Sequence, residues 1–257
     1  MTQLKIYGEN AFTFLFFNEI NSGEERLKKE KLEKLLENLK RFDKPKSTFL
    51  DTEKKKLNLN AEAEIWLFPS FGKRSGFGEP DALLLIDKYA LWFEVETEFD
   101  LDGSDRSKAI DSLRQIYRFH CAALAFANGP RRENKHLFIK GSTITNENEW
   151  KPGRLALRGH KAAAMLRDRL KAACKADNSH YVLLSVDQPS GGAKGFHEEL
   201  TKSASKQFER WNEILERHGA IAHLQPDHCW YTYWSGDLNR FFKVDVLAGY
   251  VAIKKGS

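Results

Sequence analysis

Asp81, Glu94 and Glu96 are acids placed where a buried sequence has little use for charge. In the stretch GEPDALLLIDKYALWFEVETEFD, Gly78 to Asp100, Asp81 opens one hydrophobic run, and Glu94 and Glu96 interrupt a second. Alternate side chains of a strand share a face, so Trp92, Glu94 and Glu96 point one way and Leu91, Phe93 and Val95 the other. The two glutamates then stand roughly 7 Å apart. A hairpin of Asp81 to Ile86 with Ala90 to Thr97, turning at Lys88-Tyr89, sets Asp87 opposite Ala90 and Asp81 opposite Glu96. A four-residue turn keeps Asp81 on that face; a three-residue turn moves it to the other. Three converging carboxylates repel one another and stay ionised in a partly buried place only beside a counter-charge. A divalent cation supplies one, and an all-oxygen donor set without accompanying His or Cys suits Mg2+ or Mn2+ rather than zinc. The competing reading is a solvated sheet face on which these acids pair with lysines and arginines. Trp92 beside the glutamates, and Leu83 and Leu85 on the face of Asp81, favour partial burial.

The elements that must position these acids follow from periodicity. ENAFTFLFFNEI, Glu9 to Ile20, is apolar on nearly every side and too short to span a bilayer, which predicts a buried helix with Glu9 in its first turn. Leu32, Leu35, Leu36 and Leu39 recur at helical spacing among charges, predicting an amphipathic helix within a charged helical insertion at about residues 22–57. Lys44 to Lys56, charged and containing Pro45, reads as a loop. AEIWLFPSF reads as a strand stopped by Pro69. A helix of about 20 residues runs from a cap at Ser104 or Asp105 to Asn128-Gly129. Its Lys108, Asp111, Gln115 and Arg118 share one face, with Ile110, Leu113, Tyr117 and Leu124 opposite. Next come a strand at His136 to Lys140, an irregular stretch to Gly159, and a helix from His160 to Ala176. A strand at Tyr181 to Asp187, a helix from Phe196 to His218, and strands at Ala220 to Leu224 and Trp230 to Trp234 complete the pattern, with a capped turn at Ser235-Gly236-Asp237. Strands mixed with helices throughout predict a single α/β domain with a central mixed sheet flanked by helices.

Charge is unevenly spread. The net charge of +5 is a weak pointer to a polyanionic partner. From Glu79 to Asp105, nine acids face one base, Lys88; from Lys151 to Lys175, eight bases face one acid, Asp168. An acidic knot and a basic tract on one chain suit a metal centre beside a phosphate track, although either tract alone also fits an ordinary solvated face. In this basic C-terminal half, from about residue 130, Arg154, Arg158, Lys161 and Arg167 are the candidate phosphate contacts. Arg154, Arg158 and Lys161 lie beside Gly153 and Gly159, where backbone can approach a nucleic acid closely. GGAKG, Gly191 to Gly195, lacks the rest of a phosphate-loop motif and reads as a flexible turn. Cys121, Cys174 and Cys229 are far apart and odd in number, which predicts reduced thiols. No secretory pattern opens the chain and no run approaches the ~18 apolar residues of a membrane span, so the expectation is a cytoplasmic protein without a membrane partner.

Pro80-Asp81, a hydrophobic hairpin and then Glu94-Val95-Glu96 resemble the PD-(D/E)XK, restriction-endonuclease-like nuclease superfamily. The resemblance extends to Glu9 on the first helix and to RQIYRFH on the later helix. There Gln115 matches the family glutamine, and Phe119 stands where tyrosine is usual. Together these cover about residues 7–127. The resemblance implies a restriction-endonuclease-like fold and hydrolysis of phosphodiester bonds, with DNA as the polynucleotide. Asp81, Glu94, Glu9 and the Val95 carbonyl would hold Mg2+ or Mn2+, and Gln115 would reach a phosphate near the metal. Glu96 replaces the family lysine and would act as general base or hold a second metal; Lys108 offers a displaced positive charge, and Arg118 a further nucleic-acid contact. A homodimer or a defence-complex partner, in a defence, mobile-element or repair setting, is implied by the resemblance alone. The alternatives are a noncatalytic domain of the same fold that binds nucleic acid or a partner protein, and a metal-dependent hydrolase of a small phosphorylated substrate.

Overall fold

In chain order the elements are β1 (Lys5–Tyr7), α1 (Glu9–Ile20), α2 (Glu25–Asn38), β2 (Lys40–Arg41), α3 (Phe49–Glu53), β3 (Ala63–Leu67), β4 (Ala82–Ile86), β5 (Tyr89–Glu96) and α4 (Arg106–Asn128). They continue with β6 (His136–Ile139), β7 (Trp150–Gly153), α5 (Lys161–Lys175), β8 (Ser179–Ser185), α6 (Gly192–Arg217), β9 (Cys229–Tyr233), β10 (Val244–Leu247) and β11 (Tyr250–Ile253). The computed structural model describes residues 5–7, 9–69, 79–96, 106–128, 136–139, 150–153, 161–175, 178–186, 192–217, 223–234, 238, 242, 244–247 and 250–253.

Among the described residues, six strands form a mixed sheet in the order β2-β9-β8-β5-β4-β3. β3, β4 and β5 make an antiparallel meander, β5, β8 and β9 run parallel, and β2 closes the far edge antiparallel to β9. Strands at the centre of such a sheet are buried on both faces and therefore read as continuous apolar runs. Every residue of β4 and β8 is accordingly buried, and so are the first five of β5.

The period of two divides these side chains between two cores. On one face, Leu83, Leu85, Ala90, Trp92, Tyr181, Leu183 and Tyr231 pack beneath α4, α5 and α6. On the other, Ala82, Leu84, Leu91, Phe93, Val95, Val182, Leu184 and Trp230 pack beneath α1, α2 and α3. The expected layout, a mixed sheet flanked by helices, is therefore the observed one. Smaller antiparallel pairings join β1, β11 and β10, and β6 with β7.

The charged stretch after Ile20 is part of this framework. Leu32, Leu35 and Leu36 of α2 are buried in the second core, as the helical spacing required. Lys31 is buried because its ammonium closes the end of α1, donating to the Glu19 and Ser22 carbonyls and pairing with the Glu19 carboxylate at 2.7 Å. Gly23, with φ of 95°, makes the turn between the helices; a β-carbon there would come within 2.8 Å of Leu27. Lys44 to Lys56 is not only a loop. It contains α3, whose first turn is capped by the Thr48 hydroxyl accepting from Asp51 N–H at 3.1 Å, and whose Phe49 and Leu50 are buried. Phe49 and Leu50 form a short apolar anchor among charged neighbours, a pattern too brief for periodicity to reveal.

Other differences are also at element ends. The stretch expected to be irregular before Gly159 contains β7, and GGAKG lies largely inside the first turn of α6. His223 and Leu224 are not in a strand; the remainder of that expected strand, the Ser104 or Asp105 cap and the Ser235 to Asp237 turn lie outside the described residues. Cys121, Cys174 and Cys229 are free thiols, and burial raises the pKa of all three, to about 12 for Cys121 and Cys174. Among the described residues, no helix is long and apolar enough to cross a membrane.

Candidate active site

The β4–β5 turn sets the geometry of the acids. Ile86 pairs with Tyr89, Leu83 with Trp92 and Ala82 with Phe93, so the turn is Asp87-Lys88 rather than Lys88-Tyr89. Asp87 has φ of 53°, the left-handed region that a tight hairpin requires at its first central residue. Its carboxylate also accepts the Asn58 N–H at 3.2 Å, tying the turn to the segment before β3. Relative to the expected hairpin, every pairing moves by two residues, and by count Asp81 falls across from Glu94 instead of Glu96. A shift of two preserves the face. The expected partner was wrong and the expected side of the sheet was right.

β4 begins at Ala82, and Asp81 just before it extends the hydrogen bonding to β5. The Asp81 N–H donates to the Phe93 carbonyl at 3.0 Å, while Asp81 Oδ2 accepts the Val95 N–H at 2.8 Å. Peptide groups alternate between the two edges of a strand. Those of Phe93 and Val95 face β4, and the Glu96 carbonyl faces β8, where it accepts the Val186 N–H at 2.9 Å. The Asp81 carboxylate therefore occupies the place of the next ladder residue, on the edge that also carries the Val95 carbonyl.

Four carboxylates are coupled at this end of the sheet. The pKa of Glu9, in the first turn of α1, is pushed up to about 7 by burial and by the charges of Asp81 and Glu96. Asp81 is pushed up to about 6 by burial, opposed by its bond from Val95 N–H and reinforced by Glu96. Glu94 is held well above the ordinary carboxylate range, first by burial, then by Asp81, Glu9 and Glu96, with Arg118 opposing. Glu96 accepts a hydrogen bond from the Ser112 hydroxyl at 3.1 Å. α1 lies against the opposite face of the sheet from Glu94, so Glu9 reaches the cluster because it opens its helix where the strands end.

Helix α4 brings the remaining groups. Phe119 stacks on Trp92 with ring centres 6.1 Å apart, which fixes the helix on β5. Ser112 lies two turns earlier on the same stripe and so meets Glu96, four residues beyond Trp92. Leu113 and Tyr117 are buried as expected, but Ser112 and Arg114 are buried too. Gln115, expected at a phosphate, accepts from Arg118 Nη1 at 2.6 Å. Arg118, expected as a nucleic-acid contact, is within electrostatic reach of Glu94; burial and Arg114 lower its pKa, while Glu94 raises it.

Arg114 had no place in the sequence reading. One nitrogen, Nη1, donates to Asp111 at 2.5 Å, whereas buried Nε and Nη2 have no hydrogen-bond partner among the described residues. Those two nitrogens form the edge of a guanidinium that grips two oxygens side by side, as Arg41 does with Asp43 at 2.6 and 2.7 Å. Its signal in the sequence was the recurrence of arginine at positions 114 and 118.

Of the basic candidates, Lys108 lies on α4 and Lys161 and Arg167 on α5, their side chains being outside the described residues, as are Arg154 and Arg158 altogether. Among the described residues, no three Asp, Glu, His or Cys side chains stand as a ready-made cage for one ion. The donor chemistry nevertheless fits a hard divalent cation: the clustered groups are all carboxylates, and the Val95 carbonyl adds a neutral oxygen on the same edge. Mutual repulsion keeps such oxygens apart until positive charge offsets it. Compared with known proteins, the chain matches no family model, no curated protein and no solved structure.

Proposed function

We propose that the chain is a metal-dependent nuclease of the restriction-endonuclease-like fold that hydrolyses phosphodiester bonds, with DNA as the polynucleotide. The observation that carries the reading is the coupling of Glu9, Asp81, Glu94 and Glu96, drawn from α1, the start of β4 and the end of β5. Asp81, Glu94, Glu9 and the Val95 carbonyl would hold Mg2+ or Mn2+. When bound, such an ion acidifies a water ligand and stabilises charge on a phosphate oxygen.

Within the protein, Glu96 accepts the proton of the attacking water, and the Ser112 hydroxyl fixes its carboxylate for that task. Arg118 offsets the charge of Glu94, held at its post by Gln115. The lysines and arginines of residues 151–175 supply the track for the backbone phosphates.

The rival reading is a noncatalytic domain of the same fold that binds nucleic acid or a partner protein. It draws on Glu96 standing where the family carries lysine. Incubation of supercoiled, linear and single-stranded DNA and of RNA with Mg2+ or Mn2+ separates the two, with Asp81→Ala as control. Metal-dependent cutting lost in Asp81→Ala supports the nuclease; binding without cutting under every condition supports the rival. Unchanged cutting in both Asp81→Ala and Glu94→Ala removes these residues from the site.

A further inference from the structure

Among the described residues, the large apolar side chains left exposed are Phe14, Leu27, Phe68 and Met165. Phe14, Leu27 and Met165 lie on helices. Phe68 follows the last residue of β3, with φ of 48°. A bulky aromatic residue rarely adopts this left-handed conformation, and a following proline, here Pro69, restricts the backbone further. Asp87, the other described non-glycine residue with positive φ, has its place in a hairpin turn. Phe68 opens the connection from β3 to its antiparallel neighbour β4.

A backbone hydrogen bond and a buried neighbour anchor the strained residue. Its N–H donates to the Asp81 carbonyl at 2.9 Å, and Pro69 behind it is buried. Strain of this kind persists only where the surroundings over-determine it, and it gathers at ligand sites. In β3, Ile65 and Leu67 pack toward the second core and Trp66 toward the first. A regular strand would continue that alternation. The positive φ departs from extended backbone at that point, and Phe68 is 38% exposed, one backbone hydrogen bond from the residue that caps Val95. An uncharged aromatic face at the rim of an acidic cluster suits a flat apolar surface such as a nucleobase, for which stacking is tolerant of sequence.

We propose that Phe68 is a stacking platform for an unpaired base beside the phosphate handled at the Glu9, Asp81, Glu94 and Glu96 cluster. The preferred substrate is then a polynucleotide single-stranded or opened at the cutting point, rather than continuous duplex. This inference rests on the nuclease reading.

The test uses the full chain and a single-stranded oligonucleotide carrying 2-aminopurine, whose fluorescence is quenched by stacking. Binding is measured with Mg2+ in a Glu96→Gln background, and cutting in the otherwise unaltered chain. Phe68→Gly is expected to weaken binding by about tenfold and to abolish the quench. Its melting temperature should equal or exceed the parent's, because glycine adopts a positive φ without strain. Phe68→Trp is expected to keep both binding and quench. Unchanged quench and unchanged cutting in Phe68→Gly would overturn the platform and leave the nuclease standing. Failure of the unaltered chain to bind or cut any polynucleotide would overturn both.

Discussion

The Asp81 carboxylate accepts the Val95 N–H at 2.8 Å, so one side chain both ends the β4–β5 ladder and carries a charge of the acidic cluster. Asp81→Asn separates these roles. The amide oxygen still accepts from Val95, while a like charge beside Glu94 and Glu9 disappears. In chelator, the variant should melt at or above the parent's temperature. Its gain in melting temperature on adding Mg2+ should vanish, and cutting should fall by about a thousandfold or more. Calorimetry with and without Mg2+ checks this; a preserved Mg2+ response would place the ion elsewhere.

Stability without metal should fall as pH rises across the acid cluster. Asp81 and Glu9 have folded pKa values of about 6 and about 7, raised above their ordinary 3.8 and 4.5, and Glu94 is raised as well. The fold therefore prefers their protonated forms. The stability they contribute is full below their unfolded values and is lost as pH climbs through about 6 and about 7. Protons compete with the cation over the same window, so Mg2+ affinity should rise with pH there. Melting curves between these limits should have a shallower slope for Glu9→Gln; parallel slopes would remove Glu9 from the cluster.

Glu96→Gln retains an acceptor for the Ser112 hydroxyl but cannot take a proton from water. Cutting should drop by about a hundredfold or more, with polynucleotide affinity kept. A variant as active as the parent would transfer the base role to another group.

Arg114 carries a cost that hydrophobic replacement should relieve. Arg114→Met removes two buried nitrogens that have no hydrogen-bond partner among the described residues and a like charge near Arg118, leaving Asp111 half-exposed. Chemical denaturation should register a gain of about 1–2 kcal/mol. A loss of stability instead would mean that the free edge of the guanidinium is engaged in solution.

Asn212 is the opposite case, a buried amide with its partners in place. It accepts from the Tyr117 hydroxyl at 2.8 Å and from Leu224 N–H at 3.0 Å, and donates to the Leu224 carbonyl at 3.0 Å. Asn212→Leu strands all three groups and should lower unfolding stability by about 2–4 kcal/mol. A loss under about 0.5 kcal/mol would show that water or rearranged chain replaces the network.

The sequence by itself determined the helix and strand types around the site, the ordered acids Glu9, Asp81, Glu94 and Glu96, and the common face of Glu94 and Glu96. These follow from local periodicity, which the chain carries wherever it folds. The side of the sheet on which Asp81 lies was also legible, because an error of two in the hairpin leaves parity intact. Only the tertiary structure decided that Asp81 stands across from Glu94 and caps Val95, since that register depends on how the Asp87-Lys88 turn closes. It likewise decided that Lys40 and Arg41 form a sheet edge, that Ser112 meets Glu96, and that Arg114 and Arg118 turn inward. Charge along a helix marks a face as polar, but whether that face meets water, a carboxylate or another element is settled by what packs over it.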